Sequence, residues 1–370
     1  MEIASTWLLL AGFAAASLVA VAAFVRLRRH GHVEQDESAN LLAAFEDPLL
    51  VVRDRRVLIA NQAARDLLGA HIEGSDVRLA IRHPAAAEHL AGGDDGEERV
   101  RIELVGLGEL GRPWEMIVSP LPDGSRLVRL VDQSQVRAAE QMRVDFVANA
   151  SHELRTPLAT LIGFIETLQD EAAVDPATRQ RFVGIMAGEA LRMRDLLDDL
   201  MSLSRIEAER FAAPRATVDL RPLILGVCED LQPLAGDRKI RFERGSGEAL
   251  VSGDAGQLAQ MLNNLVVNAL KYGRAGTPVR IRLKDAGPDL ISLSVIDKGE
   301  GIAADHIPRL TERFYRVDPG RSRQVGGTGL GLAIVKHIVL RHRGRLEIKS
   351  KLGEGTRVEV TLPRAAPAVT

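Results

Sequence analysis

The stretch ASHELRTPLATL sets a histidine, His152, beside a glutamate, Glu153, with Thr156 and Pro157 following closely. A carboxylate next to an imidazole can accept a hydrogen bond from one ring nitrogen and leave the other as an acceptor, which makes it a nucleophile. Thr156 falls one helical turn past His152 on the same face, where its hydroxyl is placed to position a water. Pro157 withdraws a backbone donor, frees the carbonyl of Glu153 and favours a bend beside the nucleophile. A solvated helix histidine with a chance proline is the plainer explanation, and on these residues alone both stay open.

A second set of residues suits nucleotide chemistry. In QMLNNLVVNALKYG, Asn264 and Asn268 lie one turn apart, offering amide oxygens to a hard cation, and Lys271 follows within reach of a phosphate. The competing interpretation is a pair of hydrogen-bonded core asparagines. DKGEGI ends a strand, with Asp297 able to accept from an exocyclic amine and Gly299 and Gly301 permitting close backbone approach. GGTGLGLAIVKHI runs a glycine-rich loop into a helix whose free N–H groups suit an anion. Gly327, Gly329 and Gly331 imitate a dinucleotide fingerprint, but the approach DPGRSRQV is no hydrophobic strand, and the absence of Gly-Lys-Ser/Thr excludes a P-loop.

These side chains need elements to hold them. Val144, Val147, Ser151, Leu154, Leu158, Leu161, Ile165 and Leu168 recur at spacings of three and four, as do Met186, Ala190, Met193, Leu197 and Leu200 after the turn VDPA. Two such helices leave apolar seams that a second copy would cover as a four-helix bundle, which predicts a homodimer. His152 lies one position past Ser151 on the seam, beside the bundle core and open to a phosphoryl donor. Beyond Pro214, alternating strands and helices predict an α/β sandwich.

The 370-residue chain carries a net charge of -2, which gives no sign of nucleic-acid binding, and its single cysteine, Cys228, excludes intrachain disulfides. Residues 3–25 hold no charge and match the length of a bilayer core, with Arg26, Arg28 and Arg29 behind them. That predicts one membrane-spanning helix, with the bulk of the chain in the cytoplasm and no extracytoplasmic sensing domain. Between the anchor and the histidine helix, the runs Leu49 to Arg53 and Val57 to Ala60, with Asn61 as a helix cap, predict a small α+β domain. His71, His83 and His89 are taken as scattered surface histidines rather than metal or haem ligands.

Four resemblances sharpen these expectations. DPLLVVRDRRVLIANQAARDLLG together with VDQSQ resembles a PAS sensor domain. SHELRTPL resembles the H-box of sensor histidine kinases, which implies His152 as phosphoacceptor, Glu153 as general base and Thr156 in a phosphatase arrangement. The later motifs, in order, resemble the N, G1, F and G2 boxes of the Bergerat or GHKL ATPase class. That implies ATP and Mg²⁺, with Asn264 and Asn268 facing the metal, Lys271 the phosphates, and Tyr272 and Asp297 the adenine. It also implies a mobile lid over 303–328 carrying Phe314, Tyr315 and Arg316, the last approaching the γ-phosphate, and a loop of Gly327, Thr328, Gly329, Leu330, Gly331 and Leu332. Lys298 stands where asparagine is common. Within that family, IPRLTERFYRVDPGRSRQVGGTGLGLAIVKHIV most resembles the phosphate-regulon sensors.

The implied organisation is a membrane anchor over 1–30, a PAS-like domain over 38–133, a dimerisation and phosphotransfer hairpin over 134–212, and an ATP-binding domain over 216–365. The implied protein is a kinase of the bacterial inner membrane that passes phosphate from His152 to a response-regulator aspartate and also removes it. Its inputs would arrive through a phosphate transporter and a PhoU-type adaptor. A different GHKL ATPase and a non-catalytic scaffold for the regulator are the alternatives.

Overall fold

The computed structural model describes residues 42–91, 99–109, 111–169, 175–209, 212–245, 248–318, 320 and 326–365. The apolar run 3–25, expected to cross a membrane, lies outside them. Among the described residues no helix is long and apolar enough to span a bilayer. The chain divides into two compact units, 1–145 and 146–370.

In the first unit, β1 (Leu49–Arg53) and β2 (Arg56–Ala60) form a hairpin whose turn residues Asp54 and Arg55 both have positive φ. That is the backbone demanded by a two-residue turn that follows the strand twist. The helices α1 (Gln62–Leu68), α2 (Val77–Ala80) and α3 (Pro84–Ala91) follow. Then β3 (Val100–Val105), β4 (Pro113–Pro120) and β5 (Arg126–Asp132) complete an antiparallel sheet ordered β2-β1-β5-β4-β3. Leu50, Ile72, Ile81, Leu104, Met116 and Leu130 fill its core. Asn61 caps α1 as expected and does more. Its Oδ1 accepts from Leu49 and Ala64 N–H at 2.9 Å each, while its amide donates to the carbonyl of Asp47 at 2.8 Å. A buried amide satisfied in this way pins the strand to the chain that precedes it.

Asp132 closes the sheet and opens the next element. Its Oδ1 accepts the Ser134 N–H at 2.8 Å and its Oδ2 is held by Arg112 at 2.7 Å; hydrogen bonding from the Ser134 hydroxyl and N–H, and then from Arg112, lowers its pKa to about 2. From there α4 (Ser134–Gln169) is helical throughout, Pro157 included. Of the turn expected at VDPA the described part begins at Asp175, which accepts from the N–H groups of Ala177 and Thr178 at 2.9 and 3.0 Å and starts α5 (Pro176–Ala208). Phe164 and Phe182 meet across the hairpin with ring centroids 4.8 Å apart.

The remainder is the α/β sandwich. Its elements are β6 (Thr217–Asp219), α6 (Leu220–Ala235), β7 (Ile240–Glu243), β8 (Leu250–Ser252), α7 (Ala255–Tyr272), β9 (Val279–Gly287), β10 (Leu290–Ile296), α8 (Gly331–Arg341), β11 (Arg345–Lys351) and β12 (Gly355–Pro363). The main sheet runs β11-β12-β10-β9-β7, antiparallel except for the parallel pair β7 and β9, while β6 pairs with β8 separately. Leu258, Met261, Leu265 and Val266 of α7 pack with Ile334 and Val335 of α8 over Ile281 of β9 and Leu293 of β10.

Leu196, Leu203 and Ile206 of α5 belong to this same core. The heptad seam in the sequence describes only one face of α5; the face that packs on the sandwich was not anticipated. Val144, Val147, Leu158, Ile162, Ile165, Leu197 and Met201 remain exposed, an apolar stripe along the hairpin.

Candidate functional site

The end of the sandwich expected to take a nucleotide is assembled by α7, the end of β10, and the loop into α8. Asp254 caps α7 through Gln257 N–H at 3.1 Å, fixing the helix that carries both asparagines. Those amides converge on the first turn of α8. A Cβ built on Gly331 would lie 3.7 Å from Cγ of Asn264 and 3.9 Å from Nδ2 of Asn268, and Asn264 Nδ2 lies 3.5 Å from the Gly331 carbonyl. The side-chain amides therefore lie against the N-terminal turn of α8, the end of a helix whose N–H groups suit an anion. Lys271, half-buried, donates to the Gly326 carbonyl at 2.9 Å, and burial pushes its pKa down.

Asp297 ends β10 with its carboxylate accepting from Gly299 N–H at 2.7 Å and Thr356 N–H at 3.3 Å. Burial outweighs those bonds and pushes its pKa up. The glycines of DKGEGI are required by close approach. A Cβ on Gly301, at φ 73°, would lie 2.0 Å from the Lys351 carbonyl oxygen, and one on Gly299 would lie 2.3 Å from that of Tyr272. Tyr272 itself is 41% exposed at this edge. Lys298 is exposed beside it.

Of the expected lid, 303–318, 320 and 326–328 are described. Tyr315 is hydrogen-bonded to His306 Nδ1 at 2.6 Å and stacked under Arg309. Phe314 adopts φ 62° because its N–H donates to the Gly329 carbonyl at 2.9 Å, and a Cβ on Gly329 would lie 2.9 Å from Phe314 Cα. Leu330 is fully buried, anchoring the loop, and Thr328 Oγ1 accepts its N–H at 3.3 Å.

The hairpin meets this loop directly. Arg316, with only 6% of its side chain exposed, donates to Glu153 Oε2 at 2.9 Å and to the Thr328 carbonyl at 3.0 Å. His152, the neighbour of Glu153, is exposed, and the Thr156 hydroxyl lies 3.3 Å from the His152 carbonyl, one turn back as the spacing implied. Phe146 and Phe314 pack at 5.9 Å, with Arg313 over Phe146. Glu153 of the hairpin is thus brought against Arg316, which also holds the Thr328 carbonyl, while Asn264 and Lys271 of α7 meet Gly331 and Gly326 of the same loop.

Several contacts were missed by the sequence reading. Asp199 of α5 accepts the Thr328 hydroxyl at 2.7 Å. Glu207 holds Arg313 and lies 3.2 Å from His337, and Glu209 holds Arg341 at 2.6 Å. A row of acids along α5 reads in sequence only as a solvated charged face.

Two family models match this chain. The His Kinase A (phospho-acceptor) domain matches residues 142–209, and the histidine kinase-, DNA gyrase B- and HSP90-like ATPase matches residues 253–366. The phosphate regulon sensor protein PhoR of Pseudomonas aeruginosa is 37% identical over 319 residues, covering 85% of this chain and 71% of its own. The chain belongs to the sensor histidine kinases. The kinase is also 37% identical to the sensor-like histidine kinase SenX3 of Mycolicibacterium smegmatis over 238 residues, covering 64% of this chain and 62% of that one. Among solved structures, the mycobacterial sensor histidine kinase MprB matches 40% of the kinase and 97% of its own chain, with 32% identity and a TM-score of 0.36. Family membership makes this an ATP-dependent protein-histidine kinase that acts on a response regulator.

Proposed function

We propose that the kinase autophosphorylates at His152 and passes the phosphoryl group to a response regulator of the phosphate-starvation response. The observation that carries this reading is the Glu153–Arg316 contact, which ties the neighbour of the histidine to the lid beside the nucleotide loop. In the arrangement described, Glu153 is engaged by Arg316, so the hairpin must shift before Glu153 can serve His152 as a base. In the transfer, a ring nitrogen of His152 forms a bond to the γ-phosphorus as the bond to the ADP oxygen breaks, and Glu153 takes up the ring proton. Arg316, released from Glu153, is available to the transferring group. Catalysis comes from positioning and charge neutralisation rather than covalent chemistry of the protein.

The ligand assignments within the ATPase domain are part of the same proposal. Asp297 and Tyr272 hold the adenine, Lys271 and the N–H groups of 327–332 hold the phosphates, and Asn264 and Asn268 hold Mg²⁺. When bound, Mg²⁺ neutralises charge on the phosphate oxygens. The convergence of both amides on the start of α8 fits that group.

The likeness to PhoR supports phosphate regulation, with input through a transporter and a PhoU-type adaptor. The β2-β1-β5-β4-β3 sheet with helices between β2 and β3 supports the PAS reading of the first unit. Anchoring in the bacterial inner membrane rests on residues 3–25 and the arginines behind them. The exposed stripe of the hairpin supports a homodimer, and Thr156, one turn from His152, a phosphatase role.

The test is label transfer from γ-labelled ATP to the full chain in lipid nanodiscs, with His152→Gln alongside. Acid-labile, alkali-stable label on the wild type only, moving fastest to a phosphate-regulon regulator, is expected. ATP binding without label would overturn the phosphoacceptor assignment, and transfer to a different regulator would overturn the pathway.

A further inference from the structure

The hairpin presents two carboxylates to the nucleotide loop, and only one of them neighbours the histidine. Glu153 on α4 takes Arg316, whereas Asp199 on α5 takes the hydroxyl of Thr328 at 2.7 Å. Asp199 is not an incidental surface acid. It is half-buried, burial raises its pKa, and Lys271 of α7 is near enough to pull it back down. The same pair is felt from the other side, since Asp199 is the largest influence opposing the burial that depresses Lys271. The other charges facing this corner are Asp195 and Asp198, on the same helix, Arg192, and Arg316, which donates to the Thr328 carbonyl and to Glu153.

Thr328 and Lys271 belong to the loop and helix assigned above to the phosphates, and the inference rests on that reading. A hydroxyl donor and a cation are what a phosphate oxygen requires, and here a carboxylate from another element takes the hydroxyl and lies within the electrostatic reach of the cation. We propose that Asp199 is a determinant of ATP affinity, competing with the nucleotide phosphates for Thr328 and Lys271 so that the docked hairpin and bound ATP exclude each other at this corner.

The physical consequence is a linked equilibrium. Only the fraction of molecules with Asp199 withdrawn offers a complete phosphate site, so the apparent dissociation constant exceeds the intrinsic one by the inverse of that fraction. By reciprocity, ATP weakens hairpin docking by the same factor. A half-buried carboxylate also repels a polyphosphate more strongly than an exposed one does, because screening is weaker there. Each contribution has the same sign: removing Asp199 tightens nucleotide binding. A purely structural role for the contact predicts the opposite, because a damaged interface would weaken binding or leave it unchanged.

The experiment is titration of the full chain in nanodiscs with a fluorescent ATP analogue and Mg²⁺, comparing wild type, Asp199→Ala, Asp199→Asn and Asp195→Ala. Asp199→Ala should bind about tenfold more tightly, the scale of one lost charged hydrogen bond. Asp199→Asn keeps an acceptor for the Thr328 hydroxyl without the charge and should fall between. Asp195, 60% exposed one turn earlier and without a bond to Thr328, is the control for general charge, and its removal should change affinity far less than that of Asp199 does. Unchanged or weaker binding in Asp199→Ala overturns the proposal while leaving the ATP site intact. Equal tightening in Asp195→Ala replaces the competition with bulk electrostatics and overturns it too. Failure of the wild type to bind the analogue overturns the phosphate-site reading itself, and the proposal with it.

Discussion

Among the described residues of the sandwich, His342 is the least exposed titratable group, 3% exposed at the end of α8. Its Nδ1 lies 2.8 Å from the Ile338 carbonyl, and its Nε2 accepts the Asp254 N–H at 3.0 Å, so the neutral ring with the proton on Nδ1 satisfies both partners. Protonation would turn Nε2 into a donor facing a donor. Burial is the main cause that lowers its pKa below 6.5, with Arg341 adding to it, while the bond to Ile338 and the Asp254 charge oppose. A histidine with a depressed folded pKa contributes stability that is present above its unfolded pKa and lost as pH falls through the folded value.

In His342→Phe the ring volume stays, the Ile338 carbonyl still accepts the backbone N–H of residue 342 at 3.0 Å, and only the Asp254 N–H is stranded. A stranded, partly buried donor costs about 1–2 kcal/mol. For a folded unit of this size that is a fall in Tm of roughly 2–8 °C at neutral pH. Thermal unfolding of wild type and His342→Phe between about pH 8 and about pH 5 should show the gap narrowing below the ordinary histidine range, because the variant has no proton to gain there. Parallel curves across the whole range would refute the assignment of the neutral ring. Since Asp254 caps the helix bearing Asn264 and Asn268, the variant should also weaken nucleotide binding modestly at neutral pH.

Three further outcomes are expected. Asp297→Ala removes the acceptor for Gly299 and Thr356 N–H groups and, on the proposed assignment, the adenine partner, so nucleotide affinity measured by the same fluorescent titration should fall at least about tenfold. Because burial raises the Asp297 pKa, wild-type affinity should begin to fall with acidification above the usual carboxylate range. Gly301→Ala forces a Cβ toward the Lys351 carbonyl at positive φ and should cost at least about 1–3 kcal/mol in denaturant unfolding. Leu197→Glu and Met201→Glu place charge on the exposed stripe of α5 and should convert a dimer to a monomer in analytical ultracentrifugation.

Much of the site was legible because its chemistry depends on local spacing. Asn264 and Asn268 share a helix face by their separation alone, Asn61 announces a helix start, and Gly299, Gly301 and Gly329 stand where the backbone has no room for a Cβ. The contacts between hairpin and nucleotide loop were not legible. Asp199 sits among other acids on α5, and no pattern separates the one that meets Thr328 from Asp195 and Asp198, which do not. The α5 face bearing Leu196, Leu203 and Ile206 was hidden for a related reason, since a helix that buries two faces shows the heptad seam first.

By itself the sequence determined which residues could carry phosphoryl chemistry, in what order, and on which kinds of element, because these follow from spacing along a chain of fixed geometry. Tertiary structure alone decided that Glu153 pairs with Arg316 and Asp199 with Thr328. Those pairings join residues more than a hundred positions apart, and only the packing of α5 into the core of the sandwich makes them neighbours.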